Sequence, residues 1–533
     1  MIKTDIKVLP GYTKNDIKEA LRERLPLDEE EVRDFHIVRR TLNVKDKGNI
    51  HYDMTVAVSL SPDRERGLLN MRKKVRPHEE MNLEIPASTL AERPLVVGAG
   101  PAGLFAALTL AKAGAHPIVI ERGMKAEDRE RSVERFNTFG ILDPESNVQF
   151  GEGGAGTFSD GKLKYGAPDK YKMFVLRELV EAGADEDILY SVGAHVGTDK
   201  LKVIVRKIRE KIIALGGEFR FSTRLDEIII KNGMIRGARV TRREESSTES
   251  YEINTDKIIL AIGHSARDTF RMLKSTGLKM TARGFGIGMR VEHPREYINR
   301  LVYGTDYPQE IGTASYHLVT HLENGRSVYS FCMCPGGEVV AATGNEGCVV
   351  TNGMSEHSRM ADNSNAAYLV SVTPEDFGSD DPLAGFAMQE KIEREAFRLA
   401  GENYKAPATR MEEFLKNETP KSLGELRPSY KRGVEIIAPE SYLPNYITDS
   451  VRLAMYDFDE WMPGILYPAS VLTGPETRTT SPVRIERDGK YVSSIKGLYP
   501  AGEGAGYAGG IISSARDGVM IAASILEENR NLK

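Results

Sequence analysis

The sequence predicts an α/β protein whose central layer is a doubly wound parallel sheet. Three observations lead to this fold class. A short apolar strand runs into a glycine-rich turn at residues 95–103, strands then alternate with helices, and a second glycine-rich run lies near the C-terminus. At 533 residues the chain is too long for a single core, so we expect more than one domain.

The first segment, residues 1–90, has the pattern of a small α+β domain. Ile17 and Leu21 recur on one face of a predicted helix. The run HYDMTVAVSL alternates in the way a half-buried strand does, and together these features predict the order strand, helix, strand, strand. The polar stretch near residues 72–93 shows no period, which predicts a linker.

Composition and charge exclude several classes of partner. The chain has 72 basic and 77 acidic residues, a balance that gives no overall attraction to nucleic acid or an anionic membrane. No apolar run approaches the roughly 18 residues needed to span a bilayer, and the N-terminus lacks a signal pattern. Three cysteines cannot build a secreted disulfide framework. We therefore expect a cytoplasmic protein with reduced thiols that acts on a small molecule.

The first glycine-rich turn has the features of a dinucleotide site. Gly98, Gly100 and Gly103 follow the buried strand with the G-x-G-x-x-G spacing. Such glycines allow a tight turn, backbone approach to a diphosphate and close packing of the next helix, whose first amides face the diphosphate. The following strand ends in Glu121, and an acidic side chain there binds ribose hydroxyls and repels a 2′-phosphate. This pattern argues against NADP at this site and leaves NAD and FAD open.

Two features further along the chain favour FAD. A strand is predicted to end at Leu225, and an Asn-Gly pair at residues 232–233 predicts a tight hairpin after it. A β-meander inserted at this point is typical of FAD-binding proteins, whereas NAD domains usually continue with a helix. Another apolar strand then leads into Ala261 and Gly263, whose turn resembles the one by which FAD-binding chains return to the sheet.

The C-terminal run GLYPAGEGAGYAGGIISSARDG resembles the second flavin fingerprint, in which a strand ends in an acidic residue that binds the ribityl chain. That residue is Glu503 here, where aspartate is commoner. A helix is predicted from about Ile511, and its N-terminus would stabilise negative charge on a reduced flavin ring. The two fingerprints together predict FAD, with its ADP half at the first turn.

Several longer runs resemble one family, the bacterial FAD-dependent dehydrogenases often described as NAD(FAD)-utilising. The matching runs are SNVQFGEGGAGTFSDGKL, AIGHSARDTF, GFGIGMRVEHP, FCMCPGGEVVAATGNEGCVVTNGMS, GPETRTTSPVRI and GLYPAGEGAGYAGGI. The resemblance implies a glutathione-reductase-like FAD-binding domain, with a doubly wound parallel sheet and a β-meander, that is interrupted by a mixed α+β substrate domain. It does not imply a particular substrate.

This architecture predicts four segments. Residues 1–90 form the N-terminal α+β domain and linker, 91–265 the first part of the FAD-binding domain, 266–490 the substrate or cap domain, and 491–533 the C-terminal part of the FAD-binding domain. The residues expected to bind FAD are Gly98, Gly100, Ala102, Gly103, Glu121, Arg122, Gly156, Thr157, Leu225, Ala261, Gly263, Gly502, Glu503, Gly510 and Ile511.

Three residues are candidates for catalysis. Arg478 lies among the hydroxyls of Thr477 and Thr479, and a guanidinium there suits a carboxylate or a developing oxyanion, with a structural loop arginine as the alternative. His264 follows the predicted flavin turn and is either a proton donor or a satisfied structural histidine. Lys162 either reaches the flavin edge or lies exposed in a glycine-rich turn.

The remaining motifs give weaker expectations. Cys332 and Cys334 are separated by one residue, whereas a redox pair is usually spaced C-x-x-C, so we interpret them as pocket-wall or core residues and leave their redox activity open. His317 and His321 have no third ligand nearby, so we expect no metal.

The run GFGIGMRVEHP looks like a strand ending at Pro294 and not like a second dinucleotide turn. Without a dedicated NAD domain, NADH or NADPH would visit the pocket transiently, or another electron carrier would supply the electrons.

The leading hypothesis is an FAD-dependent oxidoreductase that transfers hydride or electrons between flavin and a small anionic or conjugated organic substrate. One alternative is a flavin-dependent RNA-modifying enzyme, which the balanced charge disfavours. Another is a non-catalytic FAD-bound regulatory protein. Substrate, electron donor and oligomeric state are left open by the sequence.

Overall fold

The computed structural model describes residues 1–32, 34–70, 74–163, 166–244 and 246–530. Residues 72–73 of the predicted linker therefore lie outside the described residues. The rest of the linker contains one short strand and otherwise irregular chain, from which Leu83, Ile85 and Leu90 pack onto the core of the nucleotide-binding layer.

The N-terminal unit is a four-stranded sheet with two helices. Its strands are β1 (Ile2–Val8), β2 (Phe35–Asn43), β3 (His51–Val58) and β4 (Arg76–Pro77), in the order β2-β3-β1-β4. Its helices are α1 (Lys14–Arg24) and α2 (Pro62–Leu69). Ile17 and Leu21 face the sheet and are buried, as their helical spacing requires. The predicted order of strand, helix, strand, strand is confirmed.

The next part of the chain alternates strands and helices and then forms a run of strands. In order these are β5 (Leu95–Val97), α3 (Pro101–Lys112), β6 (Ile118–Ile120), α4 (Ala126–Phe139), α5 (Lys170–Glu181), α6 (Thr198–Ala214), β7 (Glu218–Arg220), β8 (Thr223–Lys231), β9 (Met234–Arg243), β10 (Thr248–Asn254) and β11 (Ile258–Leu260).

The remainder of the chain builds a second, larger sheet and then returns to the first. Its elements are α7 (Arg267–Ser275), β12 (Met280–Ala282), β13 (Phe285–Pro294), α8 (Arg295–Tyr303), β14 (Val319–His321), β15 (Ser327–Cys334), β16 (Glu338–Ala341), β17 (Thr351–Met354), β18 (Asn363–Val372), α9 (Ala384–Leu399), β19 (Ala406–Arg410), α10 (Met411–Lys416), β20 (Val434–Ile436), α11 (Asn445–Trp461), β21 (Val471–Glu476), β22 (Val483–Ile485), β23 (Leu498–Pro500) and α12 (Ile511–Arg530).

Five short strands form the parallel sheet that the sequence predicted, in the order β23-β11-β5-β6-β7. Strands β5, β6, β11 and β23 are buried on both faces, which is why they are continuous apolar runs and do not alternate. From β5 the chain first adds strands on one side and later on the other. Such a switch point opens a crevice at the carboxyl ends of the strands.

The β-meander is present as the antiparallel sheet β10-β9-β8. Asn232 and Gly233 both have positive φ, 54° and 72°, as a two-residue type I′ hairpin requires. The predicted strand end at Leu225 is wrong. The parallel strand β7 ends at Arg220, and Leu225 lies inside β8 because the chain turns at residues 221–222 and re-enters a strand at once.

The second sheet has seven strands in the order β14-β15-β18-β13-β21-β19-β20. Helices α8, α9 and α11 pack on this sheet and enclose its core. Two of the three glycines of GFGIGMRVEHP lie inside the buried strand β13 and the first directly precedes it, so this run forms no second dinucleotide turn. Among the helices of the described residues, none is long and apolar enough to cross a membrane.

Two helical glycines allow a test of the close packing behind the first turn. A Cβ on Gly103 would lie 1.9 Å from the carbonyl oxygen of Gly98, whereas a Cβ on Gly67 meets nothing within 4 Å. We expect Gly103→Ala to destabilise the fold by about 1–3 kcal/mol through overpacking. Gly67→Ala should be neutral or stabilising by up to about 1 kcal/mol, because alanine is the better helix former. Thermal unfolding of both variants checks the opposite signs, and equal effects would contradict the packing argument.

Candidate functional site

A cavity of about 260 Å³ lies where the carboxyl ends of four parallel strands meet. Val97, Ile120, Ala261 and Ala501 line it from the ends of β5, β6, β11 and β23, and Ile511 lines it from the start of α12. The strands of the second sheet close the opposite side. The cavity thus occupies the switch-point crevice of the parallel sheet.

Most residues predicted to bind the cofactor form the wall of this cavity. They are Gly98, Gly100, Ala102, Glu121, Arg122, Gly156, Leu225, Ala261, Gly263, Glu503, Gly510 and Ile511. The three predicted catalytic residues, Lys162, His264 and Arg478, also line it. The fold therefore brings the two glycine-rich fingerprints and the catalytic candidates to one place.

Three predicted cofactor residues lie behind this wall. Gly103 lets α3 approach Gly98, as described above. The Thr157 hydroxyl donates a hydrogen bond to a backbone carbonyl at 3.3 Å, and the Gly502 amide donates to the Asp517 carboxylate at 2.7 Å. Each of the three shapes the wall and does not line the cavity itself.

The first turn is built for an anion. Gly98 has φ 102°, a conformation that favours glycine, and a Cβ there would lie 2.3 Å from the carbonyl oxygen of Ala261. Gly100 precedes α3, and Pro101 occupies the first turn of that helix, where its missing N–H is not needed. Among the described residues, no side chain caps α3. Its first amides are therefore available to a diphosphate.

Glu121 binds three backbone segments around that turn. Its carboxylate accepts hydrogen bonds from the amides of Ala99, Gly123 and Gly151, each at 2.9 Å. The residue was predicted to bind ribose, and it lines the cavity. A carboxylate has about four acceptor positions, so three amide bonds leave capacity for a ribose hydroxyl.

Arg122 lies next to Glu121 and is held by two carboxylates. Its guanidinium bonds Glu145 at 2.7 Å and Asp268 at 2.8 and 2.9 Å, and it stacks over the ring of Phe150 at 4.3 Å. These contacts fix a planar, partly neutralised surface beside the predicted ribose residue. A flat aromatic base would stack well against such a surface.

The predicted ribityl residue, Glu503, also lines the cavity. Burial raises the pKa of its carboxyl to about 7, and the nearby charge of Arg283 only partly opposes this. A carboxyl in this setting gains from a hydroxyl donor that shares its hydrogen-bonding capacity. The chemistry of the residue therefore suits a polyol chain such as ribityl.

The raised pKa of Glu503 predicts a pH-dependent stability effect in cofactor-free protein. The folded state holds this proton up to a pH near 7, whereas the unfolded chain releases it near the ordinary value of 4.5. Stability contributed by this group therefore falls as pH rises between these values. Glu503→Gln should raise Tm relative to wild type at pH 8 more than at pH 5. A difference in Tm that does not change with pH would contradict this assignment.

Arg478 belongs to a buried charge cluster that the sequence did not predict. The carboxylate of Glu393 accepts from Arg478 at 2.8 Å and from Arg267 at 2.8 and 2.9 Å. Although burial opposes it, these two guanidinium groups hold the pKa of Glu393 well below its usual range. Two guanidinium groups therefore share one carboxylate at the cavity wall, and Arg267 also lies 3.7 Å from the Glu390 carboxylate.

One atom of this cluster lacks a partner. Nη1 of Arg478 is buried and has no hydrogen bond to any of the residues that the structure describes. An unpaired buried donor is costly, and such a cost is commonly met at sites that bind a ligand. The predicted hydroxyls around it serve the fold, since Thr477 bonds Glu393 at 2.7 Å and Thr479 bonds the backbone of Gly286.

His264 is neutral in this environment. Burial, followed by the charges of Arg478 and Arg267, lowers the pKa of its imidazole to about 3. Its Nδ1 lies 3.2 Å from the Ser265 hydroxyl. A neutral imidazole can donate one N–H bond, but it carries no extra proton to give at pH 7, which counts against the predicted role as proton donor.

Sequence reasoning also missed the residue that supports the glycine-rich loop at 146–154. Arg129 is fully buried and donates to four backbone carbonyls there, at 2.7 to 2.9 Å. A Cβ on Gly151 would clash with the Arg129 side chain, which explains a glycine at this position. In the sequence, Arg129 looks like any polar residue of an amphipathic helix, so spacing alone gives no signal.

The cysteines occupy the positions expected from the sequence. Cys332 lines the cavity and Cys334 is fully buried behind it. Of the candidate metal histidines, His321 lies on β14 and bonds the Ser327 hydroxyl at 2.8 Å. The described residues contain no group of three or more His, Cys, Asp or Glu side chains that could hold a metal ion.

Comparison with known families identifies the cofactor. Residues 93–145 match the FAD binding domain, and residues 284–479 match the family model described as FAD-dependent protein, C-terminal domain-like. The matched segments contain the first fingerprint and Arg478, and both of these line the cavity described above. FAD is therefore the cofactor of this flavoprotein, and the residues around the cavity fit it.

A relative in Clostridium beijerinckii shows the family of the whole chain. The two proteins are 43% identical over 522 residues, and the match covers 96% of each. The relative is described as an uncharacterized protein. The chain belongs to the same family as this protein, a family of FAD-dependent proteins.

Solved structures resemble the chain only distantly. Escherichia coli quinol fumarate reductase FrdA is 13% identical, with 83% of this chain and 71% of that chain covered and a TM-score of 0.36. A geranylgeranyl bacteriochlorophyll reductase-like protein from Thermoplasma acidophilum is 14% identical, with 83% and 79% covered and a TM-score of 0.36. With TM-scores this low, neither similarity supports a conclusion about function.

Proposed function

We propose that the protein is an FAD-dependent oxidoreductase that transfers hydride or electrons between flavin and a small anionic or conjugated organic substrate. The observation that carries this proposal is the buried Nη1 of Arg478 at the wall of the FAD cavity, which has no hydrogen-bond partner among the described residues. A fixed guanidinium in a water-poor site binds a carboxylate or a developing oxyanion strongly.

Each end of the cavity has a role in this proposal. The amides at the start of α3 hold the diphosphate, Glu121 holds the ribose, and Glu503 holds the ribityl chain. When bound, the flavin supplies the redox chemistry. Arg478 orients the substrate, Glu393 fixes the plane of its guanidinium, and neutral His264 donates a hydrogen bond within the same pocket.

The wider architecture supports the same assignment. We propose a glutathione-reductase-like FAD-binding domain built from residues 91–265 and 491–533, a substrate domain at 266–490 and a separate N-terminal domain at 1–90. The parallel sheet with its β-meander is consistent with this division. We further propose a cytoplasmic enzyme of the NAD(FAD)-utilising dehydrogenase type, to which NADH, NADPH or a protein electron carrier delivers the electrons.

The redox proposal is tested by the visible spectrum of the FAD-loaded protein during anaerobic addition of NADH and then NADPH. Glu121 disfavours a 2′-phosphate at the FAD site and does not select between nucleotides that bind elsewhere. Both NADH and NADPH are therefore tested as electron donors. We expect one donor to bleach the flavin within the time of a turnover. A flavin that neither nucleotide nor any small organic reductant bleaches would contradict the oxidoreductase proposal and support a non-catalytic role.

Arg478→Gln should weaken binding of small carboxylates to the FAD-loaded protein by about 10- to 100-fold, since a charged hydrogen bond is worth about 1.5–3 kcal/mol. Perturbation of the flavin spectrum by a series of mono- and dicarboxylates measures this affinity. Arg271→Gln is the matched control, because Arg271 is exposed and bonds Glu390 away from the cavity. Equal affinity in both variants, or an equal loss for uncharged carboxamides, would overturn the role of Arg478.

A further inference from the structure

Strand β15 is irregular where it reaches the cavity. In a regular strand, residues i and i+2 share a face but lie about 6.6 Å apart, further than the roughly 3.5–4.5 Å between the Cβ atoms of a disulfide. The pairing of β15 with β18 shifts register between Phe331 and Cys334, and Cys332 has a φ of 39°. This bulge contracts the strand at the two cysteines.

The contraction brings Cys334 back toward Cys332. The Cys334 thiol donates a hydrogen bond to the carbonyl oxygen of Cys332 at 3.2 Å. Arg290 fixes this geometry, since its Nη1 donates to the same carbonyl at 2.8 Å and lies 4.0 Å from the Cys334 sulfur. Arg290 is itself fully buried and paired with Glu476. The bulge is therefore held from inside the fold.

The two thiols have unequal environments. Cys332 is half-buried and lines the cavity, whereas Cys334 is fully enclosed. Interaction with the Cys334 thiol and the nearby charge of Arg290 lower the pKa of Cys332, against the effect of burial, and the same interaction raises the pKa of Cys334. The Cys332 thiol therefore loses its proton more readily than the Cys334 thiol, which is the asymmetry of a reactive dithiol.

Cys332 presents the pair to the cavity, and Cys334 lies behind it. The charge of Cys332 acts on the carboxyl of Glu503, and the amine of Lys162 acts on Cys332. Cys332 lines the same cavity as Glu503, the proposed ribityl residue, and Lys162, a catalytic candidate. The left-handed backbone conformation of Cys332 is costly for a non-glycine residue and is found mainly at functional sites.

We propose that Cys332 and Cys334 form a redox-active dithiol that exchanges two electrons with the bound FAD. Oxidation joins the two sulfurs, releases the proton of Cys334 and passes two electrons to FAD, which takes up one proton to give its anionic reduced form. The reverse reaction opens the disulfide and returns the thiolate to Cys332. The pair thereby stores a second two-electron equivalent next to the flavin. This inference rests on the proposed oxidoreductase function.

Reductive titration and thiol counting test the proposal on FAD-saturated protein. After oxidation with ferricyanide, wild type should expose one alkylatable thiol on denaturation and contain a Cys332–Cys334 disulfide by mass spectrometry. After anaerobic bleaching with dithionite it should expose all three. Complete bleaching should consume four electrons per flavin in wild type and two in Cys332→Ala or Cys334→Ala.

Cys348→Ala is the matched control, because Cys348 is fully buried and does not line the cavity, and it should keep the four-electron titration. Two electrons in every protein, or three thiols in the oxidised holoprotein, would overturn the dithiol. A disulfide that survives complete bleaching of the flavin would overturn its coupling to FAD. A protein that shows no flavin spectrum at saturating FAD would instead contradict the proposed function, so the two failures are distinguishable.

Discussion

The site depends on the carboxylate of Glu121, which joins three backbone segments that are far apart in sequence. It accepts from the phosphate turn at Ala99, from the chain after β6 at Gly123 and from the glycine-rich loop at Gly151. A buried carboxylate requires such donors, and the three amides in turn would be unsatisfied without it. Removing this one interaction would release the turn that receives the diphosphate and the loop that covers it.

A second buried carboxylate, that of Glu393, joins distant parts of the chain on the substrate side of the cavity. Glu393 on α9 binds Arg267 on α7 and Arg478 after β21, so it connects the second sheet to the end of the nucleotide-binding sheet. The bonds of Glu393 therefore fix the guanidinium of Arg478 relative to the flavin cavity. A buried guanidinium in that place is compatible with a reduced flavin as well as with an anionic substrate.

The sequence predicts the local features of the site because short-range patterns determine them. The spacing of Gly98, Gly100 and Gly103 fixes a turn, the Asn-Gly pair at residues 232–233 fixes a hairpin, and the start of α12 follows from the glycines before Ile511. Each of these depends on backbone conformations that few residues other than glycine adopt.

The sequence does not predict the contacts between residues that are far apart in the chain. Glu393 lies in an ordinary amphipathic helix, and nothing in its spacing links it to Arg267 or Arg478. The predicted strand end at Leu225 is wrong for a related reason. The sequences of β7 and β8 both favour extended chain, and the two strands are distinct only because β7 pairs with β6 whereas β8 pairs with β9. The bulge at Cys332 likewise arises from the register of β15 against β18 and from the contacts of Arg290.

The most direct measurement is a crystal structure of the protein with FAD bound. We expect the diphosphate at the amides that begin α3, a ribose hydroxyl on Glu121, the ribityl chain at Glu503 and the flavin ring between Cys332 and Arg478. FAD bound elsewhere, or in this cavity with its ends reversed, would contradict the proposed site.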